Sequence, residues 1–327
     1  RTLQKDFKYY IQIVRDIHSP QTFRSQGDKH MSSEDTENLF GEERYLGKNV
    51  RVFIAKNSRL GARPVGITFV LTAANIPLSK YISIRDALLS INHVVVGYMI
   101  NALNPPLRNH RTKAQNVRDV FDELATEMRG VDRFDIVGHS VGGKIALLVA
   151  ALHNVDGALR NVLALDPVDQ SPVEFTNQNK AKNLSLVPDA DFTHNVLKRT
   201  NITMTYTDTG FFVKADHNGR AIHRSNSQNT KLINHRNAGH MCYCDAGGKI
   251  SWGSVMKMAD NGSEERNKKC KEEVICILKE KEKSKIGKGL KSAGKGMKGG
   301  LDDLKKDVDK VAKGGMVSMM AKSLMKF

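Results

Sequence analysis

The sequence has few aromatic residues, no cysteine pair in metal-binding spacing and no long apolar run, and each deficit excludes a class of protein. Aromatic residues make up 6% of the chain, and the segment 263–327 has only Phe327, a poor composition for stacking on single-stranded nucleic acid. None of the four cysteines forms a C-x-x-C pair, so that kind of zinc or redox site is excluded. We expect free thiols in a reducing compartment, since a large chain does not need disulfides. No apolar run approaches the roughly 20 residues of a membrane span.

The length of the chain is sufficient for one large domain, and its charge indicates a basic C-terminal extension. The 327 residues, 40% of them hydrophobic, suffice for one α/β domain of about 250 residues with extra segments. The net charge is +16, and residues 263–327 carry 18 Lys and Arg against 10 Asp and Glu, a net charge of +8. Such a basic excess is typical of chains that bind nucleic acid or an anionic membrane surface.

The pattern along the chain predicts three parts. Residues 1–47 form a polar N-terminal extension of unknown role, with a helical pattern over Asp6–Ile17. Residues 48–280 alternate apolar β-branched runs with helical stretches, which predicts a mostly parallel sheet with helices on both faces. Residues 281–327 form a Lys- and Gly-rich tail. The predicted strands are Val50–Ala55, Gly66–Leu71, His93–Tyr98, Arg133–Val137, Asn161–Leu165, Ile202–Thr207 and Thr230–His235.

Helical segments lie between and after these strands. Apolar spacing predicts helices over 116–128 and 142–152, and Ser263 can cap another that closes the domain. The polar stretch 168–200 is interpreted as a surface insertion or lid.

The segment Gly138-His139-Ser140-Val141-Gly142 carries the chemistry. It is a G-x-S-x-G motif between the predicted strand FDIVG and a predicted helix, which is the context of a nucleophile elbow. The tight turn admits only small flanking residues and lifts the serine hydroxyl to the edge of the sheet. There the helix N-terminus and the Val141 N–H can stabilise an oxyanion. Ser140 is therefore the candidate nucleophile.

A serine hydroxyl needs a base and an orienting acid, which this fold places in the order Ser, Asp or Glu, His. Asp166 ends the strand NVLALD, Asp208 follows the strand ITMTYT, and Asp169 is a weaker third candidate. His240 follows the last predicted strand and is the candidate base. His217, His223 and His235 also lie downstream of Ser140, in a polar loop or within the last strand pattern.

These segments resemble chlorophyllases and their close α/β-hydrolase relatives. The family has GHSRGGK at the nucleophile where this chain has GHSVGGK at 138–144. Its next strand ends in DPV, here within LDPVDQ at 165–170, and its histidine segment is similar to AGHMCYCD at 238–245. The likeness spans about residues 48–245. It implies an α/β-hydrolase fold, the aspartate of DPV (Asp166) as the acid in preference to Asp208, and hydrolysis of chlorophyll to chlorophyllide and phytol through an acyl-enzyme.

Two segments depart from the family pattern. Val141 stands where the family has Arg, which leaves the backbone N–H unchanged. Thr72 and Ala73 occupy the places of a His-Gly pair that helps to form the oxyanion hole, so the second oxyanion donor is expected to be a backbone N–H near Ala73 or Ala74. Ala adopts positive φ less easily than Gly, so Ala73 is expected to alter the second oxyanion donor. A weakened or altered hydrolytic activity is therefore expected to originate in the segment Thr72–Asn75.

The sequence therefore predicts a serine ester hydrolase that acts on a lipophilic ester without a metal or organic cofactor. Another lipid esterase or lipase is the alternative, as is a non-catalytic lipid- or pigment-binding protein that associates with membranes. The tail has apolar residues at helical spacing among lysines and can lie on an anionic membrane surface. A nucleic-acid role is disfavoured because no base-reading motif is present. The expected location is the chloroplast or another intracellular membrane surface, with the cytoplasm as the alternative, and the oligomeric state is left open.

Overall fold

The computed structural model describes residues 38–57, 63–74, 76–100, 110–154, 156–168, 200–208, 219–225, 227–228, 230–245, 263 and 265–280. The chain divides into two compact units, Arg1–Ile275 and Cys276–Phe327. The helix expected over Asp6–Ile17 lies outside the described residues. So do nearly all of the insertion expected over 168–200 and the whole tail 281–327, so these remain predictions, as does the division into three parts.

Within the described ranges, eight strands form one sheet in the order β1-β2-β4-β3-β5-β6-β7-β8. The strands β3 to β8 run parallel, while β2 pairs antiparallel with both β1 and β4. This order and direction, with helices between the parallel strands, is the α/β-hydrolase fold and confirms the predicted fold class. The strands are β1 Glu42–Leu46, β2 Val50–Ala55, β3 Gly66–Leu71, β4 His93–Tyr98, β5 Phe134–His139, β6 Leu159–Leu165, β7 Asn201–Thr207 and β8 Thr230–His235.

The central strands are largely apolar because both of their faces are covered. Every residue of β3, β4 and β5 is buried. The core residues of these strands pack against apolar residues from the helices, including Phe121, whose ring stacks on Phe134 at 4.2 Å between centroids. Burial on both sides is the usual environment of a parallel sheet and explains why its strands were recognisable in the sequence.

Five helices accompany the sheet within the described residues. They are α1 Ile82–Leu89, α2 His110–Glu127, α3 Val141–Leu152, α4 Gly219–Ser225 and α5 over residues 265–280, with short 3₁₀ turns at Leu78–Tyr81 and His240–Tyr243. The helix predicted over 116–128 starts earlier, at His110. Its first turns are basic and polar, and only His110 and Ala114 there are buried, so they add little apolar periodicity to the sequence.

The strand β1 was missed, because the expected sheet began after residue 47. Only its last residue, Leu46, is buried, and its sequence EERYL carries three charges. The Arg44 guanidinium pairs with Glu127 of α2 at 2.7 Å, so a charged residue contributes to packing at this edge. Charged residues are common on edge strands, where they hinder pairing with other chains, and they hide the strand from an apolar pattern.

Two further observations concern cysteines and membranes. Cys242, Cys244, Cys270 and Cys276 all carry free thiols. Within the ranges that the structure describes, no helix combines the length and apolar character needed to cross a bilayer.

Candidate active site

Ser140 sits in a strained turn between β5 and α3. Its backbone has φ 57° and ψ −120°, a conformation that costs on the order of 1–3 kcal/mol for a residue with a side chain. The turn is held from both sides: the Ser140 N–H donates to the Leu165 carbonyl at 2.9 Å, and the Ser140 carbonyl accepts from the Val168 N–H at 3.1 Å. Strain that persists because neighbouring strands enforce it is characteristic of functional sites.

The two glycines of the motif are required by close backbone approaches. A Cβ added to Gly138 would lie 2.3 Å from the carbonyl oxygen of Gly142. A Cβ added to Gly142 would lie 2.4 Å from the carbonyl oxygen of Leu71, at the end of β3. Both obstacles are backbone atoms that cannot swing aside. The elbow therefore brings α3 against β3 at van der Waals distance, as the sequence motif predicts.

Asp166 and His240 form a buried pair. Asp166 directly follows β6 and is 0% exposed, while His240 begins the 3₁₀ turn after β8 and is 5% exposed. The His240 Nδ1 lies 2.7 Å from the Asp166 Oδ2. The same oxygen accepts the Thr207 hydroxyl at 2.7 Å, and the Asp166 Oδ1 accepts the Thr207 N–H at 3.4 Å. A carboxylate that accepts from Nδ1 keeps the proton on that nitrogen and leaves Nε2 as the basic one.

The other predicted acids do not take this position. Asp208 is exposed, and its Oδ1 accepts the Asn237 N–H at 2.7 Å in the turn that follows β8. It therefore closes a turn, whereas Asp166 contacts His240. Asp169 lies outside the described residues.

The rival histidines are also accounted for where they are described. The His223 Nδ1 pairs with the Thr230 hydroxyl at 2.8 Å, and the His235 Nδ1 lies 3.3 Å from the Glu273 carboxylate. Burial lowers the pKa of His235, but contacts with Cys270 and the charge of Glu273 outweigh it, so the pKa is raised overall. His217 lies outside the described residues.

The predicted oxyanion donors differ in whether their N–H groups already have a hydrogen-bond partner. The Val141 N–H is the first of α3, and neither it nor the Ala74 N–H has a hydrogen-bond partner within the described part of the chain. The Ala73 N–H, in contrast, donates to the Tyr81 hydroxyl at 2.9 Å and is not available to a ligand. Because the Ala73 N–H already has a partner, Ala74 is the better candidate of the two for the second oxyanion donor, and this stays a prediction. The physical reason is the 3₁₀ turn after residue 77, which returns Tyr81 beneath this segment.

Three residues at the site were not singled out from the sequence. Thr207 holds Asp166, while Tyr81 and His139 lie under the elbow. His139 is the first variable position of the G-x-S-x-G motif, but the motif does not predict its contacts with Tyr81 and His240. Tyr81 follows β3 by ten residues and belongs to no motif.

Neither a metal nor an organic cofactor is predicted from the sequence, and this stays a prediction. Across the described residues, no group of three or more His, Cys, Asp or Glu side chains is arranged to hold a metal ion.

Comparisons with known proteins give matches in structure only. No protein-family model matches the sequence, and no curated protein matches it. Among solved structures, the chain is similar to Est1E from Butyrivibrio proteoclasticus, with a TM-score of 0.46 and 11% identity over 66% of this chain and 95% of that one. It is also similar to a double mutant of the esterase rPPE, with a TM-score of 0.47 and 12% identity over 84% of this chain and 96% of that one. A third similar structure is the esterase domain of a Rhodothermus marinus protein, with a TM-score of 0.43 and 14% identity over 61% and 88% of the two chains.

Proposed function

We propose that this chain is a serine hydrolase of carboxylic esters, with Ser140, His240 and Asp166 as its triad. One observation carries the proposal: the 2.7 Å pair of buried Asp166 and His240 lies at the same edge of the sheet as the strained Ser140 turn. Ser140 follows β5, Asp166 follows β6 and His240 lies after β8. The carboxyl ends of these three parallel strands meet at that edge. These positions support the roles that we propose for the three residues.

The reaction proceeds in two halves. The Ser140 hydroxyl attacks the ester carbonyl while the His240 Nε2 takes its proton, which forms a tetrahedral oxyanion. The Val141 and Ala74 N–H groups donate to that oxyanion. Collapse of the intermediate breaks the ester bond, and the alcohol leaves with the proton from His240. Water then attacks the acyl-enzyme by the same route and regenerates Ser140.

Asp166 acts on the base and not on the substrate. Its carboxylate holds the His240 Nδ1–H and stabilises the imidazolium that forms in each half of the reaction. Complete burial strengthens this interaction, because little solvent screens the two charges.

We further propose chlorophyll as the ester. The support comes from the three sequence blocks GHSVGGK, LDPVDQ and AGHMCYCD, which follow the chlorophyllase order and spacing. The bond cleaved is the phytyl ester, which yields chlorophyllide and phytol with the addition of one water.

The test compares wild type with Ser140→Ala on two substrates, p-nitrophenyl butyrate and chlorophyll a. Wild type should hydrolyse both, and Ser140→Ala should lose more than about a thousandfold in kcat. Ser90→Ala is the matched control, because its hydroxyl donates only to the Ala87 carbonyl at the end of α1.

The substrates separate the coarser proposal from the finer one. Turnover of p-nitrophenyl butyrate without release of chlorophyllide would support an esterase of other specificity and overturn the chlorophyll proposal. Chlorophyll binding by a folded wild type that hydrolyses neither ester would favour the pigment-binding alternative.

A further inference from the structure

A line of three buried hydrogen bonds runs beneath the Ser140 elbow, and the proposed triad does not use it. The Ala73 N–H donates to the Tyr81 hydroxyl at 2.9 Å. The Tyr81 hydroxyl lies 2.9 Å from the His139 Nδ1. The His139 Nε2 lies 2.9 Å from the main-chain carbonyl oxygen of His240. We call Tyr81 and His139 the relay.

The two ends of the line settle the direction of every bond. The Ala73 amide can only donate, and the His240 carbonyl can only accept. The Tyr81 oxygen therefore accepts from Ala73 and donates its own proton to the His139 Nδ1. The His139 ring must then carry its proton on Nε2, where it donates to His240. The Cys244 Sγ, 3.8 Å from the same Nδ1, is a weak second neighbour.

Burial keeps both relay residues neutral. Tyr81 and His139 are each 1% exposed. Burial, followed by the charge of His240, holds the pKa of His139 well below its usual range. Burial, followed by the neighbouring Cys244, raises the pKa of Tyr81 well above its usual range. The relay thus places no charge of its own beside His240, whose ring centroid lies 4.8 Å from that of His139.

The line touches each part of the proposed catalytic machinery at the backbone. Ala73 directly precedes Ala74, the candidate second oxyanion donor. His139 directly precedes Ser140. The His240 carbonyl belongs to the same residue as the candidate base. Since an oxyanion donor is effective only within a few tenths of an ångström, a fixed link between these three segments matters for the chemical step.

We propose that Tyr81 and His139 are positioning residues for ester hydrolysis, which hold the Ala73–Ala74 segment, Ser140 and His240 in one register. The proposal rests on the function proposed above and extends it. It also accounts for an ordered oxyanion segment in a chain that has Ala73 in place of glycine. The Tyr81 hydroxyl, ten residues beyond β3, fixes the backbone at Ala73 through its hydrogen bond to the Ala73 N–H.

Tyr81→Phe tests the relay with the least disturbance. The ring stays, but the hydroxyl is lost, so the Ala73 N–H loses its partner and the His139 Nδ1 keeps only the weak contact with the Cys244 Sγ at 3.8 Å. We expect kcat for p-nitrophenyl butyrate to fall roughly 10- to 100-fold, with KM changed less than about twofold, because the displaced group acts on the transition state. The rate of Ser140 phosphonylation by a fluorophosphonate should fall by a similar factor, since that reaction also develops an oxyanion.

Tyr98→Phe is the matched control. The Tyr98 side chain is also buried, and its hydroxyl accepts from the Asn116 side chain at 3.3 Å, away from the relay. A purely structural role for Tyr81 would lower the stability of Tyr81→Phe but leave its kcat, measured on folded protein, equal to that of Tyr98→Phe. A kcat for Tyr81→Phe within twofold of Tyr98→Phe, or an effect on KM alone, would overturn the proposal.

The tautomer of His139 gives a second measurement on unmodified protein. Two-bond ¹H–¹⁵N correlation of the histidine rings should show neutral His139 with its proton on Nε2 at pH 7. A proton on Nδ1 would overturn the relay even if Tyr81→Phe fails to fold. Failure of the proposed function is recognised separately, because wild type itself would then neither hydrolyse the ester nor react with the fluorophosphonate, and the relay would fall with it.

Discussion

Exchange of Asp166 for asparagine removes the carboxylate charge and leaves almost everything else in place. Asp166 has a positive φ of 42°, which asparagine tolerates better than most residues, so the turn after β6 should survive. Two donors, the Thr207 hydroxyl and the His240 Nδ1, converge on the Oδ2 atom. An amide oxygen there can accept both but carries no charge, and its amide nitrogen then faces the Thr207 N–H that the Asp166 Oδ1 accepts. An amide nitrogen at the Oδ2 position would oppose both donors.

The expected loss is large because the site is buried. A hydrogen bond to a charged group contributes about 1.5–3 kcal/mol, and here it acts on the imidazolium that forms in the transition state. An amide that donates to Nδ1 would add the wrong histidine tautomer. Together these effects should raise the barrier by about 4–5.5 kcal/mol, a 10³- to 10⁴-fold fall in kcat.

Asp208→Asn is the matched control for this change. It is the same substitution at the neighbouring strand end, where Asp208 is exposed and holds only the Asn237 N–H. Its kcat should stay within about threefold of wild type. Both variants are measured by steady-state hydrolysis of p-nitrophenyl butyrate, with circular dichroism to confirm folding. An Asp166→Asn enzyme that keeps a tenth of wild-type kcat, or a larger loss in Asp208→Asn, would refute the assignment of the acid.

Two further predictions concern packing and pH. Gly142→Ala should lower the free energy of unfolding in urea by about 1–3 kcal/mol and slow fluorophosphonate labelling, because the added Cβ meets the Leu71 carbonyl at 2.4 Å. The control is Gly219→Ala, whose Cβ would meet nothing closer than 3.4 Å and which should change neither quantity. Equal effects of the two substitutions would contradict the packing argument. Burial and two nearby lysines lower the pKa of His110 from 6.5 to about 3. Between these pH values His110 is protonated in the unfolded chain and neutral in the folded chain. The free energy of unfolding should therefore fall as pH falls from about 6.5 to about 3, by up to about 1.4 kcal/mol per pH unit for this group, and His110→Gln should make the decline shallower between pH 7 and pH 5. An unchanged slope in His110→Gln would show that His110 is not protected from protonation.

The sequence was most informative about the buried part of the sheet. The predicted bounds of β3 and β4 match the observed ones, because burial on both faces leaves a nearly continuous apolar run in the sequence. The strand β1 escaped for the opposite reason, since its place at the edge admits charges such as Arg44. Helix α2 was placed but shortened, because its basic first turns carry little apolar signal.

The candidate site divides in the same way. The positions of Ser140, Asp166 and His240 follow from chain order and the ends of parallel strands, both of which can be read from a sequence. The role of Tyr81 depends on how a short 3₁₀ turn folds back under the sheet, which no spacing rule expresses. The choice between Ala73 and Ala74 likewise needed the observed hydrogen bond.

The central claim is that Ser140 is an activated nucleophile, and labelling with a fluorophosphonate probe tests it most directly. The full chain and Ser140→Ala are incubated with the probe, and the labelled peptide is identified by mass spectrometry. We expect one adduct on wild type, located on Ser140, and none on Ser140→Ala. A folded wild type that remains unlabelled, or an adduct that persists in Ser140→Ala, would contradict the account.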